Sequence, residues 1–164
     1  MKIHLRPFTQ ADIPSHQTWC REIHAEQYTS RTTPHAYLDQ GLFQSAALLW
    51  LVIEVDQHPS GHLWLEKDDG LSQTATLGIL LGKTDQLGKG IGRQAIQQVL
   101  QTAAAQNFAT RILLNVRKSN PRAIACYQHC GFTISGEGFK QQDGQTPIPF
   151  YKMQLTLKHF QDSV

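Results

Sequence analysis

Three glycines alternate with other residues at positions 88–92 (GKGIG), between an apolar stretch and a segment with the periodicity of an amphipathic helix. Glycine has no Cβ atom, so several backbone N–H groups can converge on one ligand at such a loop. The positive end of the helix dipole adds to the attraction for an anion. The loop is therefore typical of a phosphate or pyrophosphate site, although the same residues are compatible with a turn that binds no ligand.

The spacing of these glycines excludes two common nucleotide-binding loops. Arg93 and Gln94 follow Gly92, so the G-x-G-x-x-G fingerprint of the Rossmann fold is not formed. A P-loop needs serine or threonine after its Gly-Lys pair, and here Gly90 follows Lys89. An anion site at this loop must therefore belong to another class.

A second pattern covers residues 120–132 (NPRAIACYQHCGF), one crossover downstream of the glycine loop. Asn120 suits the N-cap of a helix, Pro121 suits its first position, and Gly131 suits the left-handed residue that ends it. Tyr127 then lies in the middle of this helix, where its hydroxyl can serve as a proton donor. The alternative is a core aromatic residue whose hydroxyl reaches the rim of the core.

Together the two patterns resemble the GCN5-related N-acetyltransferase (GNAT) superfamily. Its members carry a [Q/R]-x-x-G-x-[G/A] pyrophosphate loop and an N-x-x-A-x-x-x-Y-x-x-x-G-F segment. Every fixed position of the second pattern is matched, by Asn120, Ala123, Tyr127, Gly131 and Phe132. The resemblance implies acetyl-CoA as co-substrate, an amine as acceptor, and Tyr127 as the catalytic residue that protonates the departing thiolate.

The resemblance also implies where coenzyme A binds. Backbone amides of the glycine loop would hold the pyrophosphate, with Lys89 adding positive charge from the flank. The end of the preceding strand would pair its backbone with the pantetheine arm, and Asn120 would approach that arm or hold the loop. The residues placed around coenzyme A in this way are Ile79, Leu80, Leu81, Leu87, Gly88, Lys89, Gly90, Ile91, Gly92 and Asn120.

Two positions depart from the family pattern. Leu87 occupies the place where the family usually has glutamine or arginine, so one side-chain contact to phosphate is missing. Residues 74–81 (TATLGILL) contain no aspartate or glutamate, although many relatives carry their general base on that strand. The base is therefore unassigned. Glu54, His62 and Glu66 are the candidates nearest the expected cleft, and the two carboxylates are better explained as solvated charges at strand ends.

Composition excludes several other classes of protein. The chain has 164 residues and a net charge of +2, too weak and scattered for nucleic-acid binding. Its longest apolar run, residues 46–53, has the length of a strand and not the ~18 residues that span a membrane. Three cysteines suit reduced thiols in the cytoplasm, and those near His129 lack further ligands for a metal. We expect a cytoplasmic protein that contacts neither membrane nor nucleic acid and is compatible with a homodimer.

The pattern of elements predicts one α/β domain over residues 1–164, with a central, mixed but largely antiparallel, splayed sheet of about seven strands and helices on both faces. A capping box at residues 9–12 begins the first helix. A continuous apolar run at residues 46–55 predicts a strand buried on both faces, with its turn at residues 58–61. The remaining strands are predicted at residues 2–8, 62–66, 74–81, 111–116, 132–139 and 150–157, and the remaining helices at residues 34–42, 91–106 and 120–130, with a hairpin turn at residues 142–144.

Acetyl transfer from acetyl-CoA to a primary amine is the function that these features favour. The alternative is a non-catalytic acyl-CoA-binding sensor or partner module, which the absent strand carboxylate supports and Tyr127 opposes. The acceptor stays open among a small amine, an amino acid, an aminoglycoside and a protein N-terminus. Residues 86–90 and the C-terminal hairpin are similar to aminoglycoside 6′-N-acetyltransferases, but a polycationic drug would require an acidic pocket and this chain is mildly basic, with a pI near 8.5.

Overall fold

A computed structural model describes residues 1–29, 31–141 and 144–157. Seven strands and four helices of more than one turn follow one another in these described residues, with short 3₁₀ turns at Gln10–Asp12, Ala25–Gln27 and Thr84–Gln86. The elements are β1 (Ile3–Pro7), α1 (Ile13–Glu22), α2 (His35–Gln40), β2 (Leu48–Val55), β3 (His58–Lys67), β4 (Thr74–Leu81), α3 (Ile91–Ala105), β5 (Arg111–Arg117), α4 (Pro121–His129), β6 (Thr133–Lys140) and β7 (Ile148–Thr156).

The strands form a single sheet in the order β1-β2-β3-β4-β5-β7-β6. Every neighbouring pair is antiparallel except β4 and β5, which are parallel. Their register runs only from Thr74↔Arg111 to Thr76↔Leu113, so the two strands separate beyond that point. The predicted fold class, a mixed and largely antiparallel sheet splayed at its centre, is confirmed.

Helices cover both faces of this sheet, and β2 shows how. Trp50 and Val52 pack in one buried cluster with Trp19 of α1. Leu51 and Ile53 point the other way, into a larger cluster that contains the buried face of α3. Because side chains alternate along a strand, both faces of β2 are buried, as its continuous apolar sequence predicts.

One predicted turn is wrong. The hairpin between β2 and β3 turns at Asp56 and Gln57, whose φ angles are 49° and 72°, and not at residues 58–61. Two left-handed residues in succession give the twist that suits a two-residue hairpin. Pro59 lies inside β3, where it pairs with Glu54 beside a bulge, and the pairing of β3 with β4 begins only at Gly61. No β4 partner therefore needs the N–H that proline lacks.

Other local predictions hold. The Thr9 N–H donates to the Asp12 carboxylate at 2.9 Å, which forms the predicted capping box at the start of the first helical segment. Strands β6 and β7 pair as the predicted C-terminal hairpin. Of its predicted turn, residues 142 and 143 lie outside the described residues. None of the helices in the described ranges is long and apolar enough to cross a membrane.

Candidate active site

The glycine loop leads directly into α3. Gly88 and Gly90 have φ angles of 77° and 80°, and Gly90 is the N-cap of this 15-residue helix. A Cβ atom added at either position would meet no atom within 4 Å. Glycine is thus required by the left-handed backbone, and the space in front of the loop is open. The backbone N–H groups at the start of α3 face this space with the positive end of the helix dipole.

A cavity of about 400 Å³, here called the CoA-side cavity, lies between this loop, the end of β4 and the first turns of α4. Ten of the eleven residues predicted for the site line it; Lys89 does not, since its side chain lies outside the cavity wall. Those ten are Ile79, Leu80, Leu81, Leu87, Gly88, Gly90, Ile91, Gly92, Asn120 and Tyr127. Folding therefore brings two motifs that are 30 residues apart onto one cavity.

Two arginines that were not predicted from the sequence also line the CoA-side cavity. Arg93 lies in the first turn of α3 and Arg122 in the first turn of α4, and both line the wall. Guanidinium groups bind phosphate oxygens with paired N–H donors. These arginines add positive charge to the wall of the cavity, to which Leu87 contributes none. The sequence contained a signal for both arginines, because each one directly follows a recognised motif position at the start of a helix.

The separation of β4 from β5 leaves backbone groups of β4 without a neighbouring strand. The Gly82 N–H donates to the Ser60 carbonyl of β3 at 2.7 Å, so even-numbered residues at this end of β4 face β3. Backbone groups alternate in direction along a strand, so those of Ile79 and Leu81 face the gap toward β5. An extended ligand in the gap could form hydrogen bonds with both residues.

A second cavity of about 560 Å³, here called the acceptor-side cavity, opens on the other side of this gap. Its walls come from the segment after α1, from β3, β4 and β5, and from the β6–β7 hairpin. The two cavities meet at the residues that line both, which are Tyr28, Ile79, Leu80, Asn120 and Tyr127. Ligands bound in the two cavities would therefore come together at Tyr127.

Helix α4 is held in the position that this meeting point requires. The Asn120 side chain accepts a hydrogen bond from the Ala123 N–H at 3.3 Å, which makes it the predicted N-cap. Gly131 has a φ of 100° and ends the helix, as expected. The Tyr127 ring packs edge-on against Phe132, with centroids 6.0 Å apart. Burial raises the pKa of the Tyr127 hydroxyl, and the neighbouring thiols of Cys126 and Cys130 raise it further, so the hydroxyl stays protonated at neutral pH.

Comparison with known proteins assigns the chain to a protein family. The model of the acetyltransferase (GNAT) family matches residues 16–132, which is more than half of the chain. The chain belongs to the GNAT family. It is therefore an acetyl-CoA-dependent N-acetyltransferase, and the predicted family, enzyme class and general function are confirmed.

Individual relatives have low sequence identity to this chain, but they align with most of its length. An aminoglycoside N(6′)-acetyltransferase type 1 of Klebsiella pneumoniae is 24% identical over 149 residues, which cover 80% of this chain and 74% of that protein. The structure of the aminoglycoside acetyltransferase AAC(6′)-Ib with coenzyme A and kanamycin superimposes with a TM-score of 0.76 at 20% identity, covering 99% of each chain. A spermidine N-acetyltransferase of Vibrio cholerae with CoA and spermine gives 0.77 at 18% identity, covering 97% of this chain and 98% of that one. These likenesses confirm the GNAT fold.

The three candidate bases of this GNAT domain do not line either cavity. His62 is 0% exposed, and its Nδ1 accepts a hydrogen bond from the Trp50 indole N–H at 2.9 Å. Burial, with the nearby His16 as a smaller cause, holds the pKa of His62 well below its ordinary value. His62 is a core histidine and cannot reach an acceptor amine.

Glu54 and Glu66 are not solvated strand-end charges, which corrects the expectation from sequence. Glu54 accepts hydrogen bonds from Arg6 and His4 at about 3 Å, at the β1–β2 edge. Glu66 accepts from the N–H groups that begin α2, at 2.8 Å each, and pairs with Arg31 at 3.3 Å. Both carboxylates hold elements together. Within residues 1–29, 31–141 and 144–157, no aspartate or glutamate lines either cavity.

We predict that Arg122→Ala weakens coenzyme A binding by roughly tenfold to one-hundredfold, since a hydrogen bond to a charged group is worth about 1.5–3 kcal/mol. Calorimetric titration at low salt measures the loss, which should shrink as added salt screens the charge. Arg111→Ala is the matched control, because Arg111 is exposed on β5, lines neither cavity and changes the net charge equally. Equal affinities of the two variants would show that Arg122 does not contact the phosphates.

Proposed function

We propose that this acetyltransferase moves the acetyl group of acetyl-CoA to a primary amine at the meeting point of the two cavities. Coenzyme A enters from the CoA-side cavity, with its pyrophosphate against the glycine loop and its pantetheine arm along Ile79 and Leu81. The amine enters from the acceptor-side cavity. The observation that best supports this arrangement is that Tyr127 lines both cavities, at the point where thioester and amine would meet.

The residues at this point can perform the transfer without a covalent enzyme intermediate. The amine nitrogen attacks the thioester carbonyl carbon, and a backbone N–H of Ile79 or Leu81 that faces the gap donates to the developing oxyanion. When the C–S bond breaks, Tyr127 donates its proton to the leaving sulfur. The nitrogen loses a proton to solvent as the amide forms, and solvent returns a proton to the tyrosine oxygen. The chain thus supplies orientation and one acid.

The proton that an ammonium must lose before it attacks has no carboxylate acceptor among the described residues that line the cavities. We assign this step to water in the acceptor-side cavity, which is open to solvent. Tyr127 argues against the alternative of a non-catalytic acyl-CoA sensor, because a pure binder needs no buried acid at the thioester.

We expect acetyl-CoA to raise the midpoint of thermal unfolding by several degrees. A ligand at 100 times its Kd that binds only the native state adds about 2.7 kcal/mol, and each kcal/mol corresponds to about 2–4 °C in a chain of this size. NAD, ATP and inorganic phosphate at equal concentration serve as controls and should shift the midpoint far less. A shift that is no larger for acetyl-CoA than for ATP would remove the support for this cofactor.

Thiol release with a panel of amines then separates the enzyme from the sensor. Slow release with every amine, despite tight binding of acetyl-CoA, would favour the sensor. The single catalytic domain over residues 1–164, the contact of Lys89 with coenzyme A, the homodimer and the cytoplasmic location stay predictions.

A further inference from the structure

The charges that line the acceptor-side cavity are all positive among the described residues. Arg31, Arg117 and Lys140 line it, and they come from the segment before α2, the end of β5 and the end of β6. Glu66 pairs with Arg31 but does not line the cavity. Arg117 donates one hydrogen bond to the Glu26 carbonyl at 2.9 Å. Three guanidinium or ammonium groups thus surround the space where the acceptor must lie.

The oxygens of Glu66 accept hydrogen bonds from other groups, while its negative charge is paired with Arg31. Its two oxygens accept from the N–H groups of His35 and Ala36 at 2.8 Å, at the start of α2. Only one longer contact, 3.3 Å, joins it to Arg31. The Arg31 guanidinium also lies 5.6 Å from the centre of the Trp64 ring, which holds the guanidinium against this wall of the cavity. Arg31 therefore keeps N–H donors for a ligand, while Glu66 balances its charge. Arg117 and Lys140 supply the net positive charge of the cavity.

We propose that the acceptor is an amine that also carries an anionic group, a carboxylate or a phosphate, which Arg31, Arg117 and Lys140 bind while the amine lies at Tyr127. This inference rests on the proposed acetyl transfer and specifies its substrate class. Polycationic acceptors are excluded by the same charges. The solved relatives hold kanamycin and spermine, which are polycations, so this chain differs from them in the charge of its acceptor.

The same cations also explain how the reaction proceeds without a carboxylate base. A free alkylamine such as the lysine side chain has a pKa of about 10.4, so at neutral pH almost all of it is the unreactive ammonium. Nearby positive charges disfavour the charged form and lower that pKa. The anionic group provides the attraction that keeps the substrate in place. The cavity thereby binds the molecule through one end and promotes deprotonation at the other.

Pairs of acceptors that differ only in the anionic group test the proposal, with thiol release from acetyl-CoA as the readout. Suitable pairs are phenylalanine with phenethylamine, lysine with cadaverine, and glucosamine 6-phosphate with glucosamine; kanamycin and spermine complete the series. We expect kcat/KM to be about tenfold or more higher for the anionic member of at least one pair. The pairs also distinguish a carboxylate from a phosphate as the group that is bound.

Variants of the cavity residues then show which side chains cause the preference for acceptors with an anionic group. Arg31→Gln and Lys140→Gln should each reduce it by about tenfold, mainly through KM, whereas Arg111→Gln on the exposed surface of β5 should not change it. Lys140 is exposed, so Lys140→Gln tests the proposal even if the loss of Arg31 beside Glu66 disturbs folding. Equal rates within every pair, or fastest turnover of kanamycin or spermine, would overturn this inference and leave the acetyl transfer intact. No turnover with any amine would overturn both.

Discussion

Gly90→Glu should lower the affinity for coenzyme A by more than one-hundredfold while the chain still folds. The new carboxylate would stand in the open space before the loop, where the phosphates bind in the proposed complex. Two like charges about 5 Å apart repel each other by about 3 kcal/mol at an effective dielectric constant near 20. Calorimetric titration with coenzyme A measures the loss, and circular dichroism checks that the variant is folded.

Backbone strain must be separated from charge in this experiment, because Gly90 has a φ of 80°. Gly41→Glu is the matched control. Gly41 also has a positive φ, 68°, and open space around its Cβ position, but it ends α2 and lines neither cavity. Both variants should lose about 1–2 kcal/mol of stability, and only Gly90→Glu should lose binding. If Gly90→Glu binds coenzyme A normally, the loop is a structural turn and the pyrophosphate lies elsewhere.

Tyr127→Phe should reduce kcat by about one-hundredfold when chemistry limits the rate. General acid catalysis typically contributes ~10²–10⁴-fold, and a thiolate is a good leaving group, so the lower end applies. The ring that packs on Phe132 is kept, and the affinity for acetyl-CoA should hardly change because the loss arises in the transition state. Steady-state kinetics measures the loss in kcat, and single-turnover measurements show whether the chemical step limits the rate.

The pH profile adds a second readout for Tyr127. Since burial raises the pKa of its hydroxyl above the ordinary value near 10, the acid stays protonated across neutral and moderately alkaline pH. A fall of kcat caused by tyrosine ionisation should therefore begin only above about pH 10, and it should be absent in Tyr127→Phe.

Tyr28→Phe is the comparison variant, because Tyr28 also lines both cavities. A large loss in Tyr28→Phe with a kcat within twofold of wild type in Tyr127→Phe would transfer the role of acid to Tyr28. Neutral behaviour of both variants would leave water or the acceptor's own ammonium as the proton donor.

Much of the CoA-side cavity could be predicted from sequence because its signals are local. Alternating glycines, an Asn-Pro helix start and a mid-helix tyrosine each depend on the conformation of a few neighbouring residues. Such short patterns favour the same local conformation whatever the rest of the fold. Accordingly, ten of the eleven predicted site residues line the CoA-side cavity. The bounds of β4 were predicted for the same reason, since its apolar run ends in clear turn residues.

The base candidates could not be judged in this way. Whether His62 is a base or a core residue depends on Trp50, which lies across the β2–β3 hairpin and binds its Nδ1. Glu66 caps α2, a helix 30 residues earlier in the chain. Such roles are set by strand register and by the packing of helices on the sheet, and no single stretch of sequence contains either.

The amino-acid sequence by itself determined the family, the glycine loop, the helix that carries Tyr127 and the succession of strands along the chain. Only the tertiary structure decided which charges line the acceptor-side cavity. Arg31, Arg117 and Lys140 lie in three separate segments, and the splaying of β4 from β5 creates the cavity that they share. Electrostatic attraction acts through space and not along the chain, so the charge of a substrate pocket becomes visible only when the sheet has formed.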